Sequence, residues 1–309
     1  MVNEAYRAQV RLLIDILPFV AKEEDFALKG GTAINLFVRD LPRLSVDIDL
    51  TYLRLDDRET AFGRISTALS RIKRHIEDAL PGARVSLVDQ GGGIEAKLQV
   101  QRARTQVKVE VNTTLRGHLW PVRKMANTAH VERLFEAFVE MPVVSHAELF
   151  GGKICAALDR QHPRDLFDVR VLLDAEGVTD DIRLGLIAAL VGHNRPVAEL
   201  LSGRMQNRDA AFTAEFEGMT LSPFDYAAHV VTFTELLERV REGLGENDRR
   251  FLMSFEAGEP DWDAFPQRAI QNMPGVQWKL LNIRKLKATN PAKHAAGLAA
   301  LERVLSCER

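Results

Sequence analysis

Cysteine is scarce in this chain: Cys155 and Cys307 are its two, far apart and outside any metal-ligand spacing. That excludes a disulfide framework and a cysteine zinc site, and it fits a reducing cytoplasm. Long apolar runs are missing as well. The N-terminal stretch LLIDILPFVA is broken by Asp15 and Pro18, is followed by Lys22 and Glu23, and lacks the basic lead-in and small-residue cleavage site of a secretory leader. It predicts an amphipathic helix, and with no segment long enough to span a bilayer no membrane partner is expected. Convincing repeats and low-complexity tracts are absent too. The net charge of −2 does not by itself predict a polyanion partner. What is present is ordinary globular material: 309 residues, 46% hydrophobic and 27% charged, enough to bury one large core or two.

Charge is distributed unevenly. Between Lys97 and Lys124 there are seven Lys or Arg against the single acid Glu110, and between Ala264 and Leu301 there are six and no acid. Such runs are either solvated faces or the footprint of a phosphate-rich partner. Periodicity divides the chain near Ser145. The first part, 1–144, predicts a helix from about Glu4 to Lys22, a short helix from Thr32 to about Arg39, a strand through Asp47 and Asp49, and a helix from about Asp57 to Leu80. Three strand-like runs follow, ARVSLVD, IEAKLQV after the turn Gly91-Gly92-Gly93, and QVKVEVN. This predicts a small mixed or antiparallel sheet with helices on one side, an α+β core. The second part, 145–309, predicts helices almost throughout, with breaks near Gly192, Pro223, Gly258 to Pro260 and Asn290-Pro291.

The strand RLSVDIDLTY carries the most chemistry. Side chains alternate, so Ser45, Asp47, Asp49 and Thr51 share one face while Val46, Ile48, Leu50 and Tyr52 share the other. Two carboxylates so close repel each other unless a cation compensates them, and a divalent metal is the simplest compensation. In VKVEVN, Glu110 stands on the polar face between Lys108 and Asn112, so a strand pairing would add a third carboxylate and complete an oxygen-rich magnesium site. Upstream, Lys29-Gly30-Gly31-Thr32 precedes a helix start, where glycine permits close approach and N–H groups suit phosphate. A glycine pair alone also marks a plain turn. Farther on, Lys153 follows Gly151-Gly152 inside a helix, where each glycine costs about 1 kcal/mol, which points to a ligand or a neighbouring backbone that needs the space. Asp165 and Asp168 lie three apart on one helix face, with Arg160, Arg164 and Arg170 as alternative salt-bridge partners.

The segments KGGTAINLF, RLSVDIDLTY, VKVEVN, ELFGGKICAALDRQHPRDLFDVRVLL and PGVQWKLLNIRKLKATNPAKHAAGL together resemble the AbiEii/AbiGii nucleotidyltransferase toxins, which include the MenT-type toxins, within the DNA polymerase β superfamily. That resemblance implies a polymerase β-like nucleotidyltransferase core followed by a helical C-terminal domain that completes the active site. It implies that Asp47, Asp49 and Glu110 bind Mg²⁺ (or Mn²⁺), that Gly30, Gly31, Thr32, Ser45 and Lys153 handle the nucleotide, and that Lys153 and Asp165 join the catalytic set. Where many superfamily members carry Gly-Ser, this chain has Gly30-Gly31, which passes the serine's phosphate contact to Thr32 or Ser45. The implied reaction moves a nucleoside monophosphate from an NTP to an RNA acceptor, plausibly the 3′ end of tRNA, with a cognate antitoxin encoded alongside. Arg284, Lys285 and Lys287 are the expected RNA platform, left outward by a helix that buries Trp278, Leu281, Ile283 and Leu286. A small-molecule nucleotidyltransferase and a non-catalytic NTP- or RNA-binding module are the alternatives; the acid-free C-terminal run argues against the first and the three intact carboxylates against the second.

Overall fold

The computed structural model describes residues 4–89 and 95–306, so the expected Gly91-Gly92-Gly93 turn, Ile94 and Cys307 lie outside the described residues. The chain divides into two compact units: Met1–Ser145 with Phe216–Pro223, and His146–Glu215 with Phe224–Arg309.

In the first unit α1 (Glu4–Val20) buries Val10, Leu13, Ile14 and Leu17, the apolar stripe of an amphipathic helix. Then come β1 (Phe26–Lys29), a short helical turn α2 (Gly30–Thr32) that widens into a π-helical turn (Ala33–Val38), β2 (Asp47–Tyr52) and α3 (Arg58–Ala79). Asp57 caps α3, its side chain accepting from the Thr60 N–H. The strands β3 (Ala83–Asp89), β4 (Glu95–Arg102) and β5 (Thr105–Asn112) follow, then β6 (Arg123–Ala126), α4 (Ala129–Phe135) and β7 (Glu140–Val143). They form one seven-stranded sheet in the order β3-β4-β5-β2-β1-β7-β6.

The sheet is mixed, because β2 runs parallel to β5 and β1 parallel to β7 while the other neighbours are antiparallel. Parallel neighbours need a long crossover, and the α3–β3–β4 excursion supplies it between β2 and β5. On the sheet's apolar face Ile48 and Leu50 of β2, Val107 and Val109 of β5 and Leu98 of β4 are fully covered, with α1 and α3 packed against the strands. Tyr52 ends β2 inside this core. Burial and its hydrogen bond to Asp56 push its hydroxyl up to about 12.

The second unit contains no strand among its described residues. Its helices are α5 (His146–Arg160), α6 (Pro163–Ala175), α7 (Asp180–Gly192), α8 (Val197–Leu201), α9 (Asp209–Glu215), α10 (Tyr226–Gly243), α11 (Glu246–Glu256), α12 (Pro274–Thr289) and α13 (Pro291–Leu305). The breaks fall where glycine and proline put them. His162 is the N-cap of α6, its Nδ1 accepting from the Arg164 N–H at 3.2 Å. One expectation fails here. On α12 Val276, Lys279, Leu280 and Ile283 are buried, whereas Trp278 and Leu281 are 55% and 59% exposed. The helix is rolled because the Lys279 ammonium donates to the carbonyls of Leu190 (3.0 Å) and Arg195 (2.9 Å) and pairs with Glu256 at 3.3 Å. Leu190 sits in the last turn of α7, where the helix dipole favours a cation. Among the described residues no helix is long and apolar enough to cross a membrane.

Candidate active site

The polar face of the sheet brings the three carboxylates of the first unit onto adjacent strands. Asp49 on β2 is the direct neighbour of Glu110 on β5, and Asp47 is the neighbour of Lys108. The row extends on both sides, since Lys29 on β1 stands opposite Asp49 and Lys97 on β4 stands opposite Glu110. Across four strands the order is therefore cation, anion, anion, cation. The Lys97 ammonium lies 3.2 Å from Glu110 Oε2. A pocket of about 180 Å³ opens on this row, lined among others by Lys29, Asp49, Glu110 and Asn112. Sequence reading missed both lysines. Lys97 was legible in principle, because the tight Ala103-Arg104 turn between β4 and β5 pairs Arg102 with Thr105 and so sets Lys97 against Glu110.

Among the described residues no three His, Cys, Asp or Glu side chains converge into a closed cage for an ion. The row nonetheless fits a hard, hydrated dication: its donors are carboxylate oxygens from two strands, an ammonium already stands in at Glu110, and magnesium takes its remaining oxygens from water and substrate phosphates.

The glycine pair is explained by this row. Gly30 has a φ of +72°, a left-handed conformation that favours glycine, and a Cβ there would collide with the Asp49 carboxylate. A Cβ on Gly31 would come within 2.6 Å of Arg43 Nη2 and 2.9 Å of Ser45 Oγ. Thr32 Oγ1 donates to Asp47 O and lies 3.0 Å from Ser45 Oγ, and both hydroxyl residues are buried. Thr32 thus pins the helix start to the first residue of β2. Arg43, given no role from sequence, is buried beneath the glycine pair and donates to Leu44 O at 2.9 Å.

In the second unit Lys153 of α5 reaches Asp165 Oδ1 at 2.7 Å and Asp168 Oδ2 at 3.0 Å, both on α6, and Arg160 Nε donates to Asp165 Oδ2 at 2.6 Å. Lys153, Asp165 and Asp168 are 6%, 1% and 1% exposed. Burial raises the Asp165 carboxyl, but the charges and hydrogen bonds of Lys153 and Arg160 outweigh it and hold the group well below the usual carboxylate range. The neighbouring glycines separate the two explanations left open by sequence. A Cβ on Gly151 would run into the backbone of Gly185 and Leu186 on α7, whereas around Gly152 the space is open. Gly151 serves helix packing.

The expected RNA residues lie on α12, where Arg284 donates to Gly258 O at 2.9 Å and Lys287 to Ala257 O at 3.1 Å while pairing with Glu259 at 2.8 Å. Lys285 is exposed. Several cations of the other basic stretch are also engaged internally: Lys97 with Glu110, Arg102 with Asp15 and Lys124 with Glu140.

Residues 11–280 match the family model for the nucleotidyl transferase AbiEii toxin of type IV toxin–antitoxin systems. No curated protein matches the sequence. Among solved structures the chain is similar to MenT4, a nucleotidyltransferase toxin from Mycobacterium tuberculosis, with a TM-score of 0.62 and 16% identity over 90% of this chain and 93% of that one. At that identity the likeness shows a shared fold.

Proposed function

The chain belongs to the AbiEii family of nucleotidyltransferase toxins of type IV toxin–antitoxin systems, and on that premise we propose that it transfers a nucleoside monophosphate from an NTP to RNA, with the tRNA 3′ end as acceptor. The acceptor hydroxyl oxygen bonds to the α-phosphorus, the bond to the pyrophosphate bridging oxygen breaks, pyrophosphate leaves, and the hydroxyl proton passes to water. Asp47, Asp49 and Glu110 would hold magnesium or manganese. When bound, such an ion supplies charge neutralisation at the phosphates and a more acidic attacking hydroxyl. Gly30 keeps the Asp49 carboxylate clear, and the start of the helix after β1, with Ser45 beside Gly31, forms the proposed phosphate cradle.

The observation that carries this reading is the Asp49–Glu110 pair, two carboxylates held as direct neighbours on parallel strands, with a left-handed glycine whose Cβ position the Asp49 carboxylate already occupies. Lys153 and Asp165 remain in the proposed catalytic set through the family motif, with 1–144 as the nucleotidyltransferase domain and 145–309 as the helical one. Lys285, with Arg284 and Lys287, is the proposed RNA contact. The proposal includes a cytoplasmic setting and a cognate antitoxin encoded alongside, both consistent with the toxin–antitoxin family.

The test is incubation of purified protein with α-labelled NTPs, Mg²⁺ and total RNA. Label should enter RNA of tRNA length at its 3′ end, and Asp49→Asn and Glu110→Gln should abolish the transfer. Transfer that survives either substitution refutes the assigned site, and failure of the wild-type chain to label RNA refutes the acceptor class.

A further inference from the structure

We infer that Lys97 is a resident counter-ion of the carboxylate row, which the metal must displace from Glu110, so that this lysine sets how weakly the bare protein holds a divalent ion. The inference rests on the proposed metal site and extends it to a residue outside the family motif.

Three observations carry it. The β4–β5 hairpin fixes Lys97 directly across from Glu110, so the pairing comes from backbone register rather than a chance rotamer. The Lys97 side chain is 24% exposed against 47% for Glu110, which means that the lysine lies along the sheet and the carboxylate is the more open partner. Finally, the ammonium lies 3.2 Å from Oε2, on the carboxylate that would also serve a dication. A carboxylate oxygen that accepts from an ammonium and one that ligates a metal are competing states, and the displaced positive charge stays on the same face to repel the ion. Lys29, at the opposite end beside Asp49, leaves the row flanked by cations on both sides.

Competition has a definite sign. Removing the ammonium while keeping the aliphatic stem should tighten metal binding, whereas a merely structural lysine would leave affinity unchanged or, through local unfolding, weaken it. The experiment is Mn²⁺ binding to the full chain without nucleotide, followed by electron paramagnetic resonance of the free ion. Lys97→Met is expected to bind Mn²⁺ about two- to fivefold more tightly than wild type, the range that an exposed ion pair allows. Lys97→Arg should bind as wild type does, and the gain should shrink in a Glu110→Gln background, where the competition for the carboxylate is gone and only the repulsion by the lysine's charge remains. Unchanged or weaker binding by Lys97→Met, with Glu110→Gln still weakened, overturns this inference alone. Undiminished binding by both Asp49→Asn and Glu110→Gln, or no Mn²⁺ binding by any form at millimolar concentration, overturns the metal site and the inference together.

Discussion

Replacing Lys153 with methionine tests the second unit most severely. The side chain is nine-tenths covered, and its ammonium bridges two carboxylates that are themselves fully buried. Methionine keeps the stem's packing and removes the charge. Breaking a buried ion pair by deleting one partner costs about 3–5 kcal/mol, and because Asp165 retains Arg160 the low end, about 3 kcal/mol, is expected. The assay is urea unfolding of the full chain followed by far-ultraviolet circular dichroism, at neutral pH and in acid. In the wild type Asp165 has a depressed pKa, so its contribution is complete above the ordinary carboxylate range near pH 4 and is lost as pH falls through the folded value. Without Lys153, burial is less opposed and the carboxyl takes up a proton more readily, which relieves the cost. The gap between wild type and Lys153→Met should therefore be widest at neutral pH and narrow toward about pH 4. Adding Asp168→Asn should recover part of the loss at neutral pH. A deficit below about 1 kcal/mol at neutral pH, or one that widens in acid, refutes the electrostatic account.

The helix glycines give a paired test: Gly151→Ala should destabilise by several kcal/mol through collision with the α7 backbone, on the order of an overpacked core, whereas Gly152→Ala should be neutral or stabilise by up to about 1 kcal/mol. Chemical denaturation of the two proteins decides it, and equal effects would refute the packing role. Gly30→Ala should abolish nucleotide transfer through the Asp49 collision while costing about 1–2 kcal/mol for the left-handed backbone, as read by transfer activity and the unfolding midpoint. Asp49→Asn and Glu110→Gln should remove transfer while changing stability by no more than about 1 kcal/mol, because relieved repulsion between the neighbouring carboxylates offsets the loss of the half-exposed Lys97 pair.

Sequence made the carboxylate face legible because strand alternation is a two-residue period that short runs already display. Val107, Val109 and Val111 against Lys108, Glu110 and Asn112 leave one way to seat β5 on a core. The helical breaks were legible for a similar reason, proline and glycine being local. What stayed hidden depends on partners distant in the chain. The parallel pairing of β2 with β5 has no local signature, and β1, β6 and β7 are four residues each, too short for periodicity to separate from loop. The roll of α12 has no local signature, because it depends on carbonyls near the end of α7 and on Glu256, which make an inward Lys279 ammonium favourable. Gly151-Gly152 signalled close approach without naming what approaches.

The two charged clusters differ in what a loss of function at each would mean. Glu110 is half exposed on a sheet face whose core lies on the other side, so removing it tests chemistry with the fold intact. Lys153, Asp165 and Asp168 are buried in one unit's interior, where the same truncation leaves charge without its counter-ion. A growth-arrest assay cannot tell these apart, since an unfolded toxin and a chemically dead one both permit growth. The unfolding curve can. If Lys153→Met loses arrest in proportion to the folded fraction lost, the cluster maintains the helical unit. If arrest disappears while the protein is still folded at the assay temperature, Lys153 acts in the reaction itself. Asp49→Asn serves as the reference, being expected to lose activity at full stability.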